Sequence, residues 1–462
     1  MSNILDSNIL DVDSYKTGQW RQLPPNTKYM YSYIESRGGD FDRTLFFGLQ
    51  MFILKYLTKP ITMEDIDEAE EVISLHGVAF NRVGWQYILR NHNGYFPIEI
   101  SAIPEGTVIP NKNVLITITN TDPNVPWIVS YIETMLLRAM WYPTTVASNS
   151  YHAKNIIMDY LRETSDNPGQ EILFKLHDFG ARGVSSKESA GIGGCAHLVN
   201  FMGSDTVTGL LYARRYYDAR MAGFSINAME HSTVTAWGPD NEVGAYSNML
   251  DEYARPGAML AAVSDSYDLW NAIKNIWGDT LRDRVKNSGA CIVIRPDSGS
   301  PLTVPRDCIN ILGEKFGYTI NNKGYRVLHP CVRVIQGDGI NINSISPILN
   351  NVKNSGYSTE NLAMGMGGGL LQMVNRDNYK FAQKNSAIYI GDKWYDTFKN
   401  PIDDPTKASR SGKFAVIQEN NEFKTILLHE LNGRNNILRS VWRNGNLLIR
   451  DNFDTIRSRC VI

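Results

Sequence analysis

The segment Ala290-Cys291-Ile292-Val293-Ile294-Arg295-Pro296-Asp297-Ser298-Gly299 decides the fold. Its first half is continuously apolar, the pattern of a strand covered on both faces rather than of one with a wet side. Its second half turns abruptly to charge, proline and glycine. From about residue 171 the same unit recurs at intervals near 30 residues, the length of a βα repeat. The other expected strands are Glu171–Leu176, Leu198–Met202, Phe224–Ala228, Ala258–Val263, Val332–Gln336 and Asn361–Met366. Helical patterns lie between them at Lys187–His197, Thr206–Tyr217, Asn241–Tyr253, Tyr267–Trp277, Arg306–Phe316 and Ile342–Asn354. A parallel sheet curled into a seven-strand, TIM-like barrel is the expected α/β core.

The flanks read differently. Residues 1–165 mix helices (Thr44–Tyr56, Met63–His76, Trp127–Trp141) with strand-like pieces such as Asn113–Thr119. Residues 381–462 resemble an antiparallel meander of Ser386–Ile390, Lys393–Phe398, Phe414–Gln418, Phe423–Leu428 and Asn446–Ile449. Neither flank alternates enough to be an α/β domain. Together they are expected to form one α+β domain, with the barrel of residues 166–380 inserted between them.

Composition narrows the function. With 43% hydrophobic and 20% charged residues, the 462-residue chain is neither disordered nor coiled coil. Lys plus Arg total 46 against 48 Asp plus Glu, so no global basic field holds nucleic acid or an anionic membrane. The five cysteines are scattered without a CxxC pair, which fits a reducing cytoplasm and argues against a disulfide framework or structural zinc. The start, Met1-Ser2-Asn3-Ile4-Leu5-Asp6, has no secretory pattern, and no apolar run is long enough to span a bilayer.

In a parallel βα array, chemistry belongs to loops at the carboxyl ends of the strands. Here those loops read His177-Asp178-Phe179-Gly180-Ala181-Arg182-Gly183, Gly203-Ser204-Asp205, Glu230-His231-Ser232-Thr233, Ser264-Asp265-Ser266, Arg295–Gly299, Gly337-Asp338-Gly339 and Gly367-Gly368-Gly369. The glycines let backbone N–H groups approach a phosphate. Arg182 and Arg295 suit phosphate or pyrophosphate, while Asp265, Asp297 and Asp338 suit ribose hydroxyls or a magnesium-bearing ligand. Taken singly, each has a structural reading: a turn for the glycines, a helix cap for Asp265, a core ring for Phe179. Both signs together suggest a sugar phosphate.

The loop from His177 through Gly193 is similar to that of the nicotinamide phosphoribosyltransferase family. So are Glu230–Thr233, Ile294–Gly299, Val334–Gly339, Gly367–Gln372, and the N-terminal Asp13–Lys16, Pro24–Thr27 and Tyr31–Tyr33. The likeness runs almost the whole chain, departing in a shortened segment around Arg37–Thr44 and a shorter C-terminal tail. It implies a type II phosphoribosyltransferase barrel in a homodimer that joins nicotinamide to 5-phosphoribosyl 1-pyrophosphate in NAD salvage. It implies further that Phe179 and the partner copy's Tyr15 sandwich the pyridine ring and that Asp205 accepts from the carboxamide. Arg182, Arg295 and the partner copy's Arg37, Arg376 and Lys384 would hold phosphates. Asp265 and Asp297 would orient the ribose, with Gly337, Asp338 and Gly368 around the nucleotide. His231 would contact pyrophosphate and take a phosphoryl group from ATP. Magnesium would arrive with the pyrophosphate substrate, with no protein metal ligands assigned. The alternatives are nicotinate phosphoribosyltransferase, which Asp205 disfavours by charge repulsion, and a non-catalytic binding or signalling protein on the same fold.

Overall fold

The computed structural model describes residues 4–403, 408–420 and 422–460. Met1–Asn3, part of the start read above for a secretory pattern, lie outside the described residues. The chain divides into two compact units. One comprises Asn149–Ala213 and Arg220–Val374; the other comprises the chain up to Ser148, the short segment Arg214–Ala219, and the residues from Asn375 onward. The divisions thus fall at 148/149 and 374/375, beside the 165/166 and 380/381 read from sequence, and the first lies inside the long helix Glu133–Thr164. Among the described residues no helix is long and apolar enough to cross a membrane.

The first unit is built on a seven-stranded sheet, every pair of it parallel. In chain order the strands are Leu176–Asp178, Gly203–Ser204, Asn227–Ala228, Met259–Val263, Cys291–Arg295, Val332–Gln336 and Leu362–Met366. Spatially the first lies between the second and the seventh, and the order then descends to the third. A parallel bridge from Gly203 to Phe224, just ahead of the third strand, brings the sheet back on itself. It rests on Phe224 N–H to the Met202 carbonyl at 2.7 Å and Ser204 N–H to the Phe224 carbonyl at 3.1 Å. Inside, Ala261, Val293 and Ile335 form a small apolar layer against Phe179, Ile226, Cys291 and Ala363. Parallel pairing places all seven strand carboxyl ends together, as the polar loops required.

Helices Lys187–His197 and Ile342–Asn354 have the bounds read from sequence, each started by a side-chain cap, Ser186 and Asn341 respectively. Three strand assignments are corrected; one is Phe224–Ala228, which narrows to Asn227–Ala228 with Phe224 in an isolated bridge. Residues 168–174 form helical turns started by Pro168, so the first strand is Leu176–Asp178 rather than Glu171–Leu176. Leu198–Met202 is the buried run after a helix, and only Gly203–Ser204 pairs; apolar character alone does not separate these cases. Tyr318–Ile320 and Arg326–Leu328 add an antiparallel pair that periodicity did not show.

The second unit carries an antiparallel sheet in the order Lys393–Asp396, Ala382–Ile390, Thr27–Glu35, Val114–Asn120, Ile98–Ala102, Arg439–Arg443, Asn446–Leu447. N-terminal strands occupy its centre and C-terminal strands both edges, the α+β arrangement expected of the flanks. The C-terminal meander is corrected: among the described residues Phe414–Glu419 and Glu422–Leu427 pair only with each other, as a separate hairpin. The expected helix Thr44–Tyr56 is also shortened. Thr44 lies in the strand Arg43–Leu45, and Gly48 enters the helix at φ 109°, open to glycine at no cost. The expected Trp127–Trp141 helix is split near Ile132, and its second part continues through Pro143 to Thr164.

Candidate active site

The first two strands end side by side, with His177 opposite Gly203 and Asp178 opposite Ser204. The next residues, Phe179 and Asp205, therefore leave adjacent strand ends. Phe179 donates its N–H to the Met366 carbonyl at 3.0 Å, and Asp205 donates its own to the Asp178 carbonyl at 2.9 Å. The Phe179 ring lies over backbone kept bare by glycine: a Cβ on Gly365 would meet Cε2 at 2.0 Å, and one on Gly337 at 3.2 Å. The ring is partly buried, packed against the layer of Ala261, Val293 and Ile335. Asp205 is exposed, and Ser225 Oγ donates to its Oδ1 at 2.6 Å. His177 stands behind, its ring filling the space a Cβ on Gly203 would need. Burial pushes the His177 imidazole down, against the pull of Asp205.

Three further loops converge on Asp297. Arg295 Nη2 donates to Asp297 Oδ2 at 2.8 Å, and His231 Nε2 lies 3.3 Å from the same oxygen. Burial alone would raise the Asp297 carboxyl; Arg295 and His231 outweigh it and hold the group below the usual range. Asp297 N–H donates to Asp265 Oδ2 at 3.1 Å, and the other Asp265 oxygen is buried without a hydrogen bond. Asp265 is no helix cap: Asp268 caps Leu269–Asn271. His231 Nδ1 lies 3.0 Å from Ser266 Oγ, a contact the sequence did not suggest.

The remaining loops are backbone-rich. Gly339 takes φ 70°, and Gln336 Nε2 donates to the Asp338 carbonyl at 2.8 Å, leaving the Asp338 side chain exposed. Gly368 has open space where a Cβ would project. Gln372 Oε1 accepts from Ser185 N–H at 3.0 Å, tying the loop after the last strand to the loop after the first. Arg182, between them, is exposed and among the described residues has no hydrogen bond or ion pair. Phe179, Arg182, Asp205, His231, Asp265, Arg295, Asp297, Gly337, Asp338 and Gly368 thus all belong to one end of the barrel unit.

Tyr15, Arg37, Arg376 and Lys384 belong to the other unit. Tyr15 is 62% exposed, beside the buried Lys16, which pairs with Glu133 at 2.6 Å. Burial pushes the Lys384 ammonium down; Glu133 opposes this, while Arg37, Lys399 and Arg376 add to it. Lys384 and the two arginines are therefore electrostatic neighbours. The shortened Arg37–Thr44 segment is stitched beside them: Arg37 N–H donates to the Tyr379 carbonyl at 3.2 Å and Asp40 N–H to the Asn378 carbonyl at 3.0 Å. A Cβ on Gly39 would lie 1.8 Å from that Asn378 oxygen, so only glycine permits this approach.

Residues 174–436 match the nicotinate phosphoribosyltransferase family, and residues 7–100 match the nicotinamide phosphoribosyltransferase N-terminal domain. A nicotinamide phosphoribosyltransferase of Xanthomonas campestris is 48% identical over 98% of both chains. The chain belongs to the nicotinamide phosphoribosyltransferase family. A relative of the same name from Mycoplasma pneumoniae is 31% identical over 88% of this chain and 95% of its own. Among solved structures, a nicotinate-nucleotide pyrophosphorylase from Pyrococcus furiosus has TM-score 0.61 at 15% identity, covering 100% of this chain and 96% of its own. Human nicotinic acid phosphoribosyltransferase has TM-score 0.56 at 14% identity, with 97% and 92% covered. At such identities the structural likeness shows the fold alone: a type II phosphoribosyltransferase barrel with an α+β unit.

Within that family frame, no group of three or more His, Cys, Asp or Glu side chains among the described residues is arranged to hold a metal ion. The thiols of Cys291, Cys308 and Cys331 are pushed up by burial, so at neutral pH they are protonated and poor nucleophiles. Ser225, Ser266, Gly365 and Gln372 lie within stretches read from sequence but were given no role of their own, and here they are supports. They carry no chemical signature of their own and become visible only beside the groups they hold.

Proposed function

We propose that this chain transfers the phosphoribosyl group of 5-phosphoribosyl 1-pyrophosphate to nicotinamide, yielding nicotinamide mononucleotide and pyrophosphate in NAD salvage. The observation that carries this reading is the placement of Phe179 and Asp205 immediately after the paired strand ends Asp178 and Ser204. An aromatic face stacks the pyridine ring, contributing about 1 kcal/mol beyond burial. A carboxylate, one oxygen already held by Ser225, accepts from the carboxamide NH₂ and repels the carboxylate of nicotinate.

The chemistry needs no protein nucleophile. The bond from the anomeric carbon to pyrophosphate breaks as the pyridine nitrogen approaches, through an oxocarbenium-like state with negative charge growing on the leaving group. Positioning and electrostatic stabilisation supply the rate. Asp297 and Asp265 orient the ribose hydroxyls, Arg295 is held against Asp297, and Arg182 is uncommitted and ready for phosphate. Magnesium enters as part of the pyrophosphate substrate. Tyr15, Arg37, Arg376 and Lys384 of a second copy complete each site in a homodimer with shared sites, as the family resemblance implies. The reaction belongs in the cytoplasm, and neither nucleic acid nor a membrane takes part.

His231 couples the reaction to ATP. Its ring nitrogen attacks the γ-phosphorus, an N–P bond forms as ADP leaves, and water later cleaves that bond to phosphate. The test is product formation from nicotinamide against nicotinate, with magnesium and with or without ATP, in wild type and His231→Ala. Preference for nicotinamide, ATP stimulation in the wild type alone, and acid-labile label from γ-labelled ATP are expected. Equal use of both bases overturns the substrate assignment; equal ATP stimulation of both proteins without label overturns the phosphohistidine.

A further inference from the structure

We propose that Asp178 and Thr206 are positioning residues for the pyridine site, fixing the Phe179 ring and the Asp205 carboxylate at the separation nicotinamide requires. Asp178 is fully buried at the end of the first barrel strand and reaches both gripping groups. Its Oδ1 accepts from Gly180 N–H at 2.7 Å, setting the turn that follows Phe179. That turn is closed by Gly183 N–H on the Gly180 carbonyl at 2.9 Å. The main-chain carbonyl of Asp178 accepts from Asp205 N–H at 2.9 Å. One residue therefore ties down the loop bearing the ring and the loop bearing the carboxylate.

The second oxygen of Asp178 and the hydroxyl of Thr206 give the pair its character. Both atoms are buried, and neither has a hydrogen bond of full geometry. They share the space above Gly194, where a Cβ would lie 2.9 Å from Thr206 Cγ2 and 3.1 Å from Asp178 Oδ2. Thr206 is itself set by Ser204 Oγ, which accepts its N–H at 3.1 Å, and it immediately precedes the helix Val207–Tyr217. Burial pushes the Asp178 carboxyl up to about 6; Gly180 and Thr206 pull it down, and the Asp205 carboxylate adds to the rise. A carboxyl in so dry a place costs stability, a cost retained where its contacts are needed. Here those contacts are the loops that hold the substrate.

The inference rests on the nicotinamide reading, and its test separates the two. Asp178→Ala, Asp178→Asn and Thr206→Val are made in the full chain, circular dichroism establishes folding, and the KM of each substrate and kcat are measured. Loss of the Asp178 carboxyl in the alanine variant raises the KM for nicotinamide about tenfold, leaving that for phosphoribosyl pyrophosphate within about twofold. Asparagine keeps an acceptor for Gly180 N–H and presents an amide to Thr206, so it restores most of the loss. Thr206→Val gives a smaller rise, about threefold. An unchanged nicotinamide KM in a folded alanine variant, an equal rise for both substrates, or an asparagine variant no better than alanine overturns the proposal. If the alanine variant does not fold, an unchanged nicotinamide KM in Thr206→Val overturns it. Wild type that makes no product from nicotinamide overturns the functional reading itself, before any variant is compared.

Discussion

Asp205 concentrates the specificity question in one side chain. It is exposed, its Oδ1 accepts from Ser225, and among the described residues it forms no ion pair with Lys or Arg. Asp205→Asn removes the repulsion and turns a pure acceptor into a group that can also donate. Expected is a weaker kcat/KM for nicotinamide and a stronger one for nicotinate, the ratio moving about ten- to a hundredfold. Parallel steady-state assays on the two bases read this, and an unchanged ratio sinks the role given to Asp205. Of the residues in this site, the charged ones were legible because carboxylates and guanidinia at strand ends have few structural uses together. Ser225 and Ser266 were not, because a serine in a loop carries no signal until its partner's position is known.

At the scale of elements, the seventh strand does more than complete the barrel. Gly365 lies within it, and a methyl group there would sit 2.0 Å from the Phe179 ring; the same addition at Gly337, past the end of the sixth strand, would sit at 3.2 Å. Gly365→Ala must therefore displace the ring or the strand, an overpacking cost of about 1–3 kcal/mol, while Gly337→Ala needs only a few tenths of an ångström of give. The expected order of nicotinamide KM is Gly365→Ala far above Gly337→Ala, with wild type lowest, and thermal unfolding midpoints should run in reverse. Equal effects at the two positions would show that the ring is not held against the strand. The same strands explain which elements were readable. Met259–Val263 is continuously apolar and was located within one residue, whereas Gly203–Ser204 is two residues long and its neighbours mimic a strand.

For the whole molecule, the decisive question is where Tyr15, Arg37, Arg376 and Lys384 act, since they belong to the unit that lacks the barrel. If each site takes them from a second copy, Tyr15→Ala and Arg295→Ala are both inactive alone, yet mixed dimers place both lesions in one site and leave the other intact. Mixing the purified variants under conditions of subunit exchange should restore activity toward about a quarter of wild type, half the sites in half the dimers. No recovery, with exchange demonstrated by differently tagged chains, rules out shared sites.

The sequence by itself determined the repeating βα core, the inserted layout of the chain, and the set of polar loops, because buried parallel strands must be apolar and their loops must carry the chemistry. Even the α+β character of the flanks followed from their lack of alternation. Only the tertiary structure decided that N-terminal strands lie at the centre of the second sheet with C-terminal strands at its edges, and that Asp297 draws Arg295 and His231 to one carboxylate. It also decided that Asp178, one letter in a loop motif, is a buried strand end linking two loops. Periodicity encodes which face of an element is covered. It does not encode which distant element covers it, and that choice sets every distance in the site.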